Sequence, residues 1–433
     1  MRLLAGWSQA RLASELGYHH SVISRWETGD RNPPLHQLGR IDEVLRTGGR
    51  LTELYRAAGE DRCADPWPYA PPSASSHAPG GDSVLPLSEG SWPARLPHHG
   101  VACPSHGTDG CAVPSPERAE SLWRAFTANP SSVVSEDVIH MLAAYLAVEV
   151  RRTEIPNSVS GGPTVEEAMR LITGGWHESG DRPNQSLTRL TAGYASLCGQ
   201  LRMLRGQPAA AMAFYERGLR WALRCDDTAL KATILCDMNA LARFEHDGAS
   251  AVGHARALLS FAGDISWVRS LACLHLARGY AILGDARETV RLVARSRAAL
   301  EDSATNCGPR PDWITGDQGR AWVEAGIGGA LRDASVTRAD RGLAREALDA
   351  TERSKSLVPV GQRPAAVLLG LRLADCHACA GRPDTAAYLA SPLLAEALTA
   401  TRTTVSHELR GLLGRLAPHQ PHLTSAHALS IPP

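Results

Sequence analysis

The feature that most limits the fold of this chain is a layout that recurs along its second half: a helix with small residues, a glycine turn, then a second amphipathic helix. The clearest copy spans residues 276–293 around Gly284. Weaker copies lie at residues 199–215, 241–248 and 373–390. Apolar residues three and four apart indicate helices, and strand-like alternation is absent after residue 117. The pattern predicts an all-α domain over residues 116–418, with residues 117–180 as its N-terminal cap and residues 419–433 as a disordered tail.

Each copy resembles a tetratricopeptide repeat, in which small residues let two helices approach closely and a glycine closes the hairpin. The resemblance implies an α-solenoid whose inner surface suits extended peptides or partner helices. The turn glycines are unevenly spaced, 42 residues from Gly206 to Gly248 and 36 from Gly248 to Gly284, so we expect some longer helices. Residues 322–336 and 340–357 predict a further hairpin. A nonrepetitive helical bundle is the alternative.

A different pattern occupies residues 8–29. Ser8 is a suitable N-cap for a first helix, and Gly17 can adopt the positive φ that a tight turn between two helices requires. Apolar positions on the second helix then point back to the first. This spacing predicts a helix-turn-helix, whose second helix presents short polar side chains to the DNA major groove. The residues expected to hold this domain together are Leu12, Ala13, Gly17, Ile23 and Trp26.

The segment is similar to the Xre, or lambda-repressor-like, helix-turn-helix family over about residues 4–59. The resemblance rests on Trp7-Ser8-Gln9, Leu12-Ala13, Gly17, Ile23-Ser24-Arg25-Trp26-Glu27 and Gly29-x-Arg31-x-Pro33. It implies a domain over residues 1–62 that binds double-stranded DNA. The base-contacting residues implied are His20, Ser21, Ser24 and Arg25. The phosphate-contacting residues implied are Gln9, His19, Arg31 and Asn32.

Two departures from the family pattern bear on this domain. The helix that normally precedes Trp7 is reduced to residues 1–6, so we expect a truncated first helix. His19 stands where the family has a Ser or Thr N-cap, which weakens that cap by about 1 kcal/mol. The domain has nine arginines and eight acidic residues, so a single copy should bind DNA weakly. We therefore expect a homodimer.

Between the two domains, residues 63–115 are rich in Pro, Gly and Ser, which predicts a disordered or polyproline-like linker. The linker contains several metal-binding residue types at close spacing: His98, His99, Cys103, His106 and Cys111. Structural zinc sites usually combine two pairs of ligands on ordered turns or helices, and no second pair of ligands follows Cys111 in the sequence. These residues are therefore interpreted as incidental, and we predict no metal site and no cofactor.

Composition excludes several other classes of protein. The chain carries 45 basic and 45 acidic residues, which gives no sign of a nonspecific nucleic-acid coat. No apolar run reaches the length of a membrane span, and no export signal is present, so we expect a cytoplasmic protein with reduced cysteines. Nucleotide loops, catalytic triads and paired-ligand helices are absent, and Cys376-x-x-Cys379 lacks partners. We predict no enzymatic activity and no catalytic residue.

Together these patterns predict a transcriptional regulator whose helical repeats dimerise or bind a peptide or protein effector. The architecture resembles repeat-containing regulators of Gram-positive bacteria, and the near absence of lysine is typical of actinobacteria. The alternative is a helical-repeat scaffold for protein–protein interaction with a vestigial DNA-binding domain.

Overall fold

The computed structural model comprises two separate units, residues Met1–Gly81 and Asp82–Pro433. It describes residues 2, 7–17, 23, 26–27, 35–45, 47, 49, 92–130, 134–154, 162–179, 185–225, 227–302, 311–359, 362–399 and 403–422. The described residues are all-α, as predicted, and form no strand beyond isolated bridges. Among the described helices, none is both long and apolar enough to cross a membrane.

The first unit contains helix α1 (Gln9–Leu16) and helix α2 (Leu35–Leu45). As predicted, Ser8 is the N-cap of α1, and its hydroxyl accepts a hydrogen bond from the Arg11 amide at 3.1 Å. Gly17 ends the helix in the left-handed region with φ +75°, a conformation that favours glycine. The turn that the sequence predicts after α1 therefore forms where expected.

The described part of the second unit begins with a folded segment, residues 92–115. Short antiparallel bridges pair Arg95 with Ala112, His98 with Val101, and Cys103 with Gly107. Leu96 is buried, and the indole of Trp92 donates a hydrogen bond to the Pro114 carbonyl at 2.9 Å. The structure thus differs from the expected linker in this part. Tight turns at glycines with positive φ satisfy backbone groups here without a helix or a continuous strand.

The helices of the second unit follow in chain order. They are α3 (Pro116–Ala128), α4 (Glu136–Glu154), α5 (Gly162–Ser179), α6 (Gln185–Leu204), α7 (Pro208–Ala222), α8 (Thr228–Phe244), α9 (Gly248–Ser260), α10 (Ser266–Ile282), α11 (Ala286–Asp302), α12 (Gly316–Arg338), α13 (Arg341–Leu357), α14 (Arg363–Cys379), α15 (Pro383–Ala390), α16 (Leu394–Thr399) and α17 (Thr403–Leu416).

The helices from α6 to α15 form stacked hairpins. In each hairpin the first helix packs on the second, as in α6 with α7 and α12 with α13, and the second helix packs on the first helix of the next hairpin. First helices also pack on each other from α4 through α14. Comparable packing between the second helices of neighbouring described hairpins is absent, so the first helices line the narrower side of the stack. We call this side the inner face.

Left-handed residues close the hairpins. Gly206, Gly284 and Gly381 have φ values of +69°, +82° and +78°, at turns that the glycine pattern predicted. The turn between α8 and α9 differs, because its left-handed residue is His246 at φ +56°, and Gly248 is instead the first residue of α9. Ala339, with a φ of +52°, is the left-handed residue of the turn between α12 and α13.

Small residues permit close helix contacts within the stack. A Cβ added to Gly199 on α6 would lie 2.4 Å from the Tyr215 ring on α7. A Cβ added to Gly279 on α10 would lie 2.8 Å from a methyl carbon of Val252 on α9. Both glycines lie in copies of the layout found in the sequence, so the layout marks real helix contacts.

Candidate nucleic-acid interface and inner face

The described part of the first unit has a single apolar cluster. It joins α1 and α2 to Ile23, which is helical and only 1% exposed. The residues of this cluster are Leu12, Ala13, Leu16, Ile23, Ile41 and Leu45, with Trp7, Trp26 and Val44 packed against it. The structure thus places Leu12, Ala13 and Ile23 in this apolar cluster and leaves Trp26 half-buried.

Glu27 fixes the position of α1 relative to the helical residues that follow the turn. Arg2 Nε lies 2.6 Å from Glu27 Oε1, and Gln9 Nε2 donates to Glu27 Oε2 at 2.7 Å. The hydrogen bond from Arg2, with smaller help from Gln9, lowers the pKa of Glu27, and burial opposes it. Gln9, interpreted from the sequence as a phosphate contact, thus has an intramolecular partner. The pairing of Arg2 with Glu27 could not be inferred from the sequence because the two residues are 25 positions apart.

The other expected DNA contacts lie outside the described residues. These are His19, His20, Ser21, Ser24, Arg25, Arg31 and Asn32.

The inner face of the second unit carries a buried network of charges. Arg332 on α12 lies 3.0 Å from Asp375 on α14 and 2.6 Å from its neighbour Asp333, and it also pairs with Glu408 on α17. Glu408 accepts a further bond from Arg372 Nε at 3.0 Å. Burial alone would raise the pKa of Glu408, but Arg332 and Arg372 hold that pKa well below its usual range. The network ties three helices together through one carboxylate.

Helix α17 lies against the inner face. Besides its bonds to α12 and α14, its His407 ring lies 5.2 Å from the ring of Phe244 and 5.5 Å from that of His246, centroid to centroid. Phe244 is the last residue of α8 and His246 lies in the turn that follows it, three hairpins before the hairpin of α14 and α15. Burial lowers the pKa of His407 to about 4, so the imidazole is neutral at physiological pH.

Two further arginines on the inner face have no carboxylate partner within ion-pair distance among the described residues. Arg243 on α8 donates to the Asn239 side chain at 3.0 Å, and Arg278 on α10 is 8% exposed with no hydrogen-bond acceptor for its Nε. A Cβ at Gly329 would lie 2.9 Å from Arg278 Cζ, so the guanidinium rests against α12. Burial, with repulsion from Arg243 and Arg372, lowers the pKa of Arg278 well below its usual range. Asp333 and Glu408 attract both arginines from beyond ion-pair distance, but these two carboxylates already pair with Arg332 and Arg372. The inner face therefore carries more guanidinium than carboxylate groups around Arg278.

Asp237 on α8 is a half-buried acid with a different environment. Burial raises its pKa to about 7, although Gln200 and Ser196 on α6 donate hydrogen bonds to the carboxylate at 3.1 and 3.4 Å. No basic group contributes to this change in pKa. The carboxyl group therefore titrates near neutral pH.

We expect Asp237→Asn to stabilise the chain more at about pH 8 than at about pH 5.5. Because the folded pKa lies above the unfolded value of 3.8, the folded state binds the proton more tightly, and stability falls as the pH rises towards 7. A difference of one in pKa between the folded and unfolded states corresponds to about 1.4 kcal/mol. Melting temperatures at the two pH values measure the difference, and the exposed Asp384→Asn is the control. An equal effect of Asp237→Asn at both pH values would contradict the assignment.

The structure brings three of the linker residues together with one helical residue. Cys103 Sγ lies 3.6 Å from His106 Nδ1 and 3.2 Å from His140 Nε2, and His106 Nδ1 lies 3.2 Å from Cys111 Sγ. All four donor atoms lie within 4.8 Å of one another. His140 of α4 thus supplies a fourth donor to residues that the sequence alone left without a second ligand pair. His98 and His99 are not part of this cluster.

Comparison with known families agrees with the geometry of the first unit. Residues 1–50 match the family model described as helix-turn-helix. No curated protein matches the chain significantly. The match, together with the all-helical fold, supports a DNA-binding regulator.

Proposed function

We propose that this chain is a sequence-specific transcriptional regulator, in which the helical stack dimerises or binds an effector and so controls two DNA-binding domains. The observation that carries the proposal is the helix-turn-helix match over residues 1–50, with the core that joins α1, α2 and Ile23. Such a core holds a recognition helix rigidly, which reading base edges requires.

We expect Arg25→Ala and Ser21→Ala to change which DNA sequence is bound. Base contacts determine sequence preference, and a good contact contributes about 1–3 kcal/mol of discrimination. Arg31→Ala, at an expected phosphate contact, should weaken all sites alike. Selection from a randomised DNA pool with the full chain measures both effects.

The surface variant Arg224→Ala in the helical stack is a control that should leave binding unchanged. If Arg25→Ala and Ser21→Ala both keep the wild-type preference, the assigned base contacts are wrong. If the wild-type chain selects no sequence at all, the protein is a scaffold rather than a regulator.

The near balance of charge in the DNA-binding domain supports a dimer. Nine arginines against eight acidic residues give a single domain little electrostatic affinity for DNA, and a dimer doubles the number of phosphate contacts. We expect light scattering to show a dimer of the full chain, free or with effector. We also expect an inverted repeat of the selected site to bind much more tightly than one half-site. A monomer that binds both DNAs equally would contradict this.

The inner face supports an effector with an anionic group. Arg243 and Arg278 have buried or half-buried guanidinium groups with no carboxylate within ion-pair distance among the described residues, and burying a charge without a close partner is costly. A carboxylate of an acidic peptide would supply the missing acceptor, in a charge-assisted bond.

We expect Arg278→Met to raise the melting temperature of the effector-free chain. The substitution removes a buried guanidinium whose Nε has no acceptor and keeps much of the side-chain volume, and an unsatisfied buried polar group costs about 1–3 kcal/mol. A synthetic poly-glutamate peptide should raise the melting temperature of wild type but not of Arg278→Met. The exposed Arg287→Met is the control. Destabilisation by Arg278→Met, or an equal peptide effect on both chains, would contradict this role.

A further inference from the structure

We propose that Cys103, His106, Cys111 and His140 bind one structural zinc ion that fastens the segment 92–115 to the first long helix of the stack. Two thiolates and two imidazoles are a usual ligand set for structural zinc, with about 2.3 Å to sulfur and about 2.0–2.1 Å to nitrogen. A tetrahedron with these bond lengths has sulfur–nitrogen separations of about 3.6 Å. The three sulfur–nitrogen separations in the structure, 3.6, 3.2 and 3.2 Å, lie within a few tenths of an ångström of that value.

The backbone around Cys103 is arranged to hold a thiolate. Cys103 and Gly107 exchange backbone hydrogen bonds of 3.1 and 2.8 Å, and Gly107 takes the left-handed φ of +65° that this turn requires. The turn directs the His106 amide at Cys103 Sγ, 3.4 Å away. An amide donor stabilises sulfur when it is charged, as it is when bound to a metal.

One of the two histidines, His106, is oriented by an adjacent carboxylate. Glu136 lies one turn before His140 on α4, and its Oε1 is 3.3 Å from His106 Nε2. His106 Nε2–H would donate to Glu136, which leaves the lone pair of Nδ1, on the side of the two sulfurs, available to bind the zinc ion. A carboxylate behind a ligating imidazole is a usual arrangement at zinc sites, where it fixes the ring and increases its basicity.

The position of the cluster indicates its purpose. Cys103 and His140 are buried, whereas His106 is exposed and Cys111 is intermediate, so the ion would lie at the surface end of a buried contact. The same segment reaches α6 through Ser105, whose hydroxyl lies 2.9 Å from that of Ser186. Few apolar side chains anchor residues 92–115, and a metal would supply the stability that this small core lacks.

The test is the metal content of the untagged full-length chain, purified without chelator. We expect one zinc ion per chain. After exchange, we expect cobalt to give the visible absorption of a tetrahedral thiolate complex. His106→Ala and Cys111→Ser change accessible side chains, so the fold should tolerate them, and each should abolish stoichiometric zinc. Glu136→Gln should keep the zinc but weaken its affinity about 10–100-fold.

Matched controls are Cys379→Ser and His419→Gln, which lie outside the cluster and should retain the full zinc content. A strong chelator should lower the melting temperature of wild type and leave that of His106→Ala unchanged. Three results would each overturn the proposal: no zinc or cobalt bound after reconstitution, unaltered metal content in both ligand variants, or a Cys103–Cys111 disulfide in the chain purified under reducing conditions.

Discussion

Replacing Glu408 with Ala is expected to destabilise the helical stack by about 3–5 kcal/mol. The substitution leaves the guanidinium groups of Arg332 and Arg372 buried, and breaking a buried ion pair from one side has a cost of this size. The midpoint of urea unfolding of the full chain, followed by the loss of helical circular dichroism, measures the effect.

The matched control is Glu396→Ala, which removes a carboxylate that lies 2.8 Å from Arg363 at the surface. Exposed pairs of this kind contribute about 0–1 kcal/mol. A similar loss for Glu396→Ala and Glu408→Ala would show that the buried network is not a special source of stability.

The stability that the same network contributes depends on pH. Because the folded pKa of Glu408 lies below its ordinary value of 4.5, its contribution is complete above that pH and is lost as the pH falls through the folded pKa. We therefore expect the stability difference between wild type and Glu408→Gln to shrink below about pH 4.5. A difference that grows on acidification would contradict a lowered pKa in the folded state.

The second large effect is expected in the DNA-binding domain, from Ile23→Ala. Ile23 is almost fully buried between α1 and α2, and truncating such a side chain costs about 2–5 kcal/mol. A domain with so small a described core has little stability to lose, so we expect DNA binding to fail at physiological temperature. Trp26→Ala should cost less than full ring burial would imply, because the structure leaves Trp26 half-buried.

Hydrogen exchange in the full chain locates this effect. Amides of α1 should exchange much faster in Ile23→Ala, whereas those of α10, in the other unit, should be unchanged. Ile23→Val, at about 0.5–1.5 kcal/mol, is the conservative control. Unchanged exchange in α1 would show that Ile23 does not support this helix.

The repeated hairpins could be predicted from the sequence because their signals are local. The turn glycine and the small residues that permit close packing lie within one hairpin. Gly206 forms the turn of the first such hairpin, and Gly199 packs on Tyr215 across it. The turn at His246 could not be assigned in this way, because a histidine in the left-handed region has no sequence signature. The glycine pattern instead predicted that the nearby Gly248 would be the turn residue.

The proposed zinc ligands and the buried charges could not be predicted because their signals are not local. Cys103, His106 and Cys111 lie close together in the sequence, but His140 lies 29 residues after Cys111, in a largely apolar segment. Arg332, Arg372 and Glu408 lie on three helices far apart in sequence. No spacing rule pairs them. They meet because the first helices α12 and α14 stack and α17 packs on α14.

The contact between His407 and Phe244 gives the stack a different physical character from that of a linear array. In a linear array each hairpin contacts only its neighbours, so the ends can fray and the units can unfold one after another. Here α17 touches α8 as well as α12 and α14, so hairpins that are distant in the chain share an energetic dependence. A shift of one helix therefore changes the contacts of several hairpins at once, and the inner half of the domain should unfold as one cooperative unit.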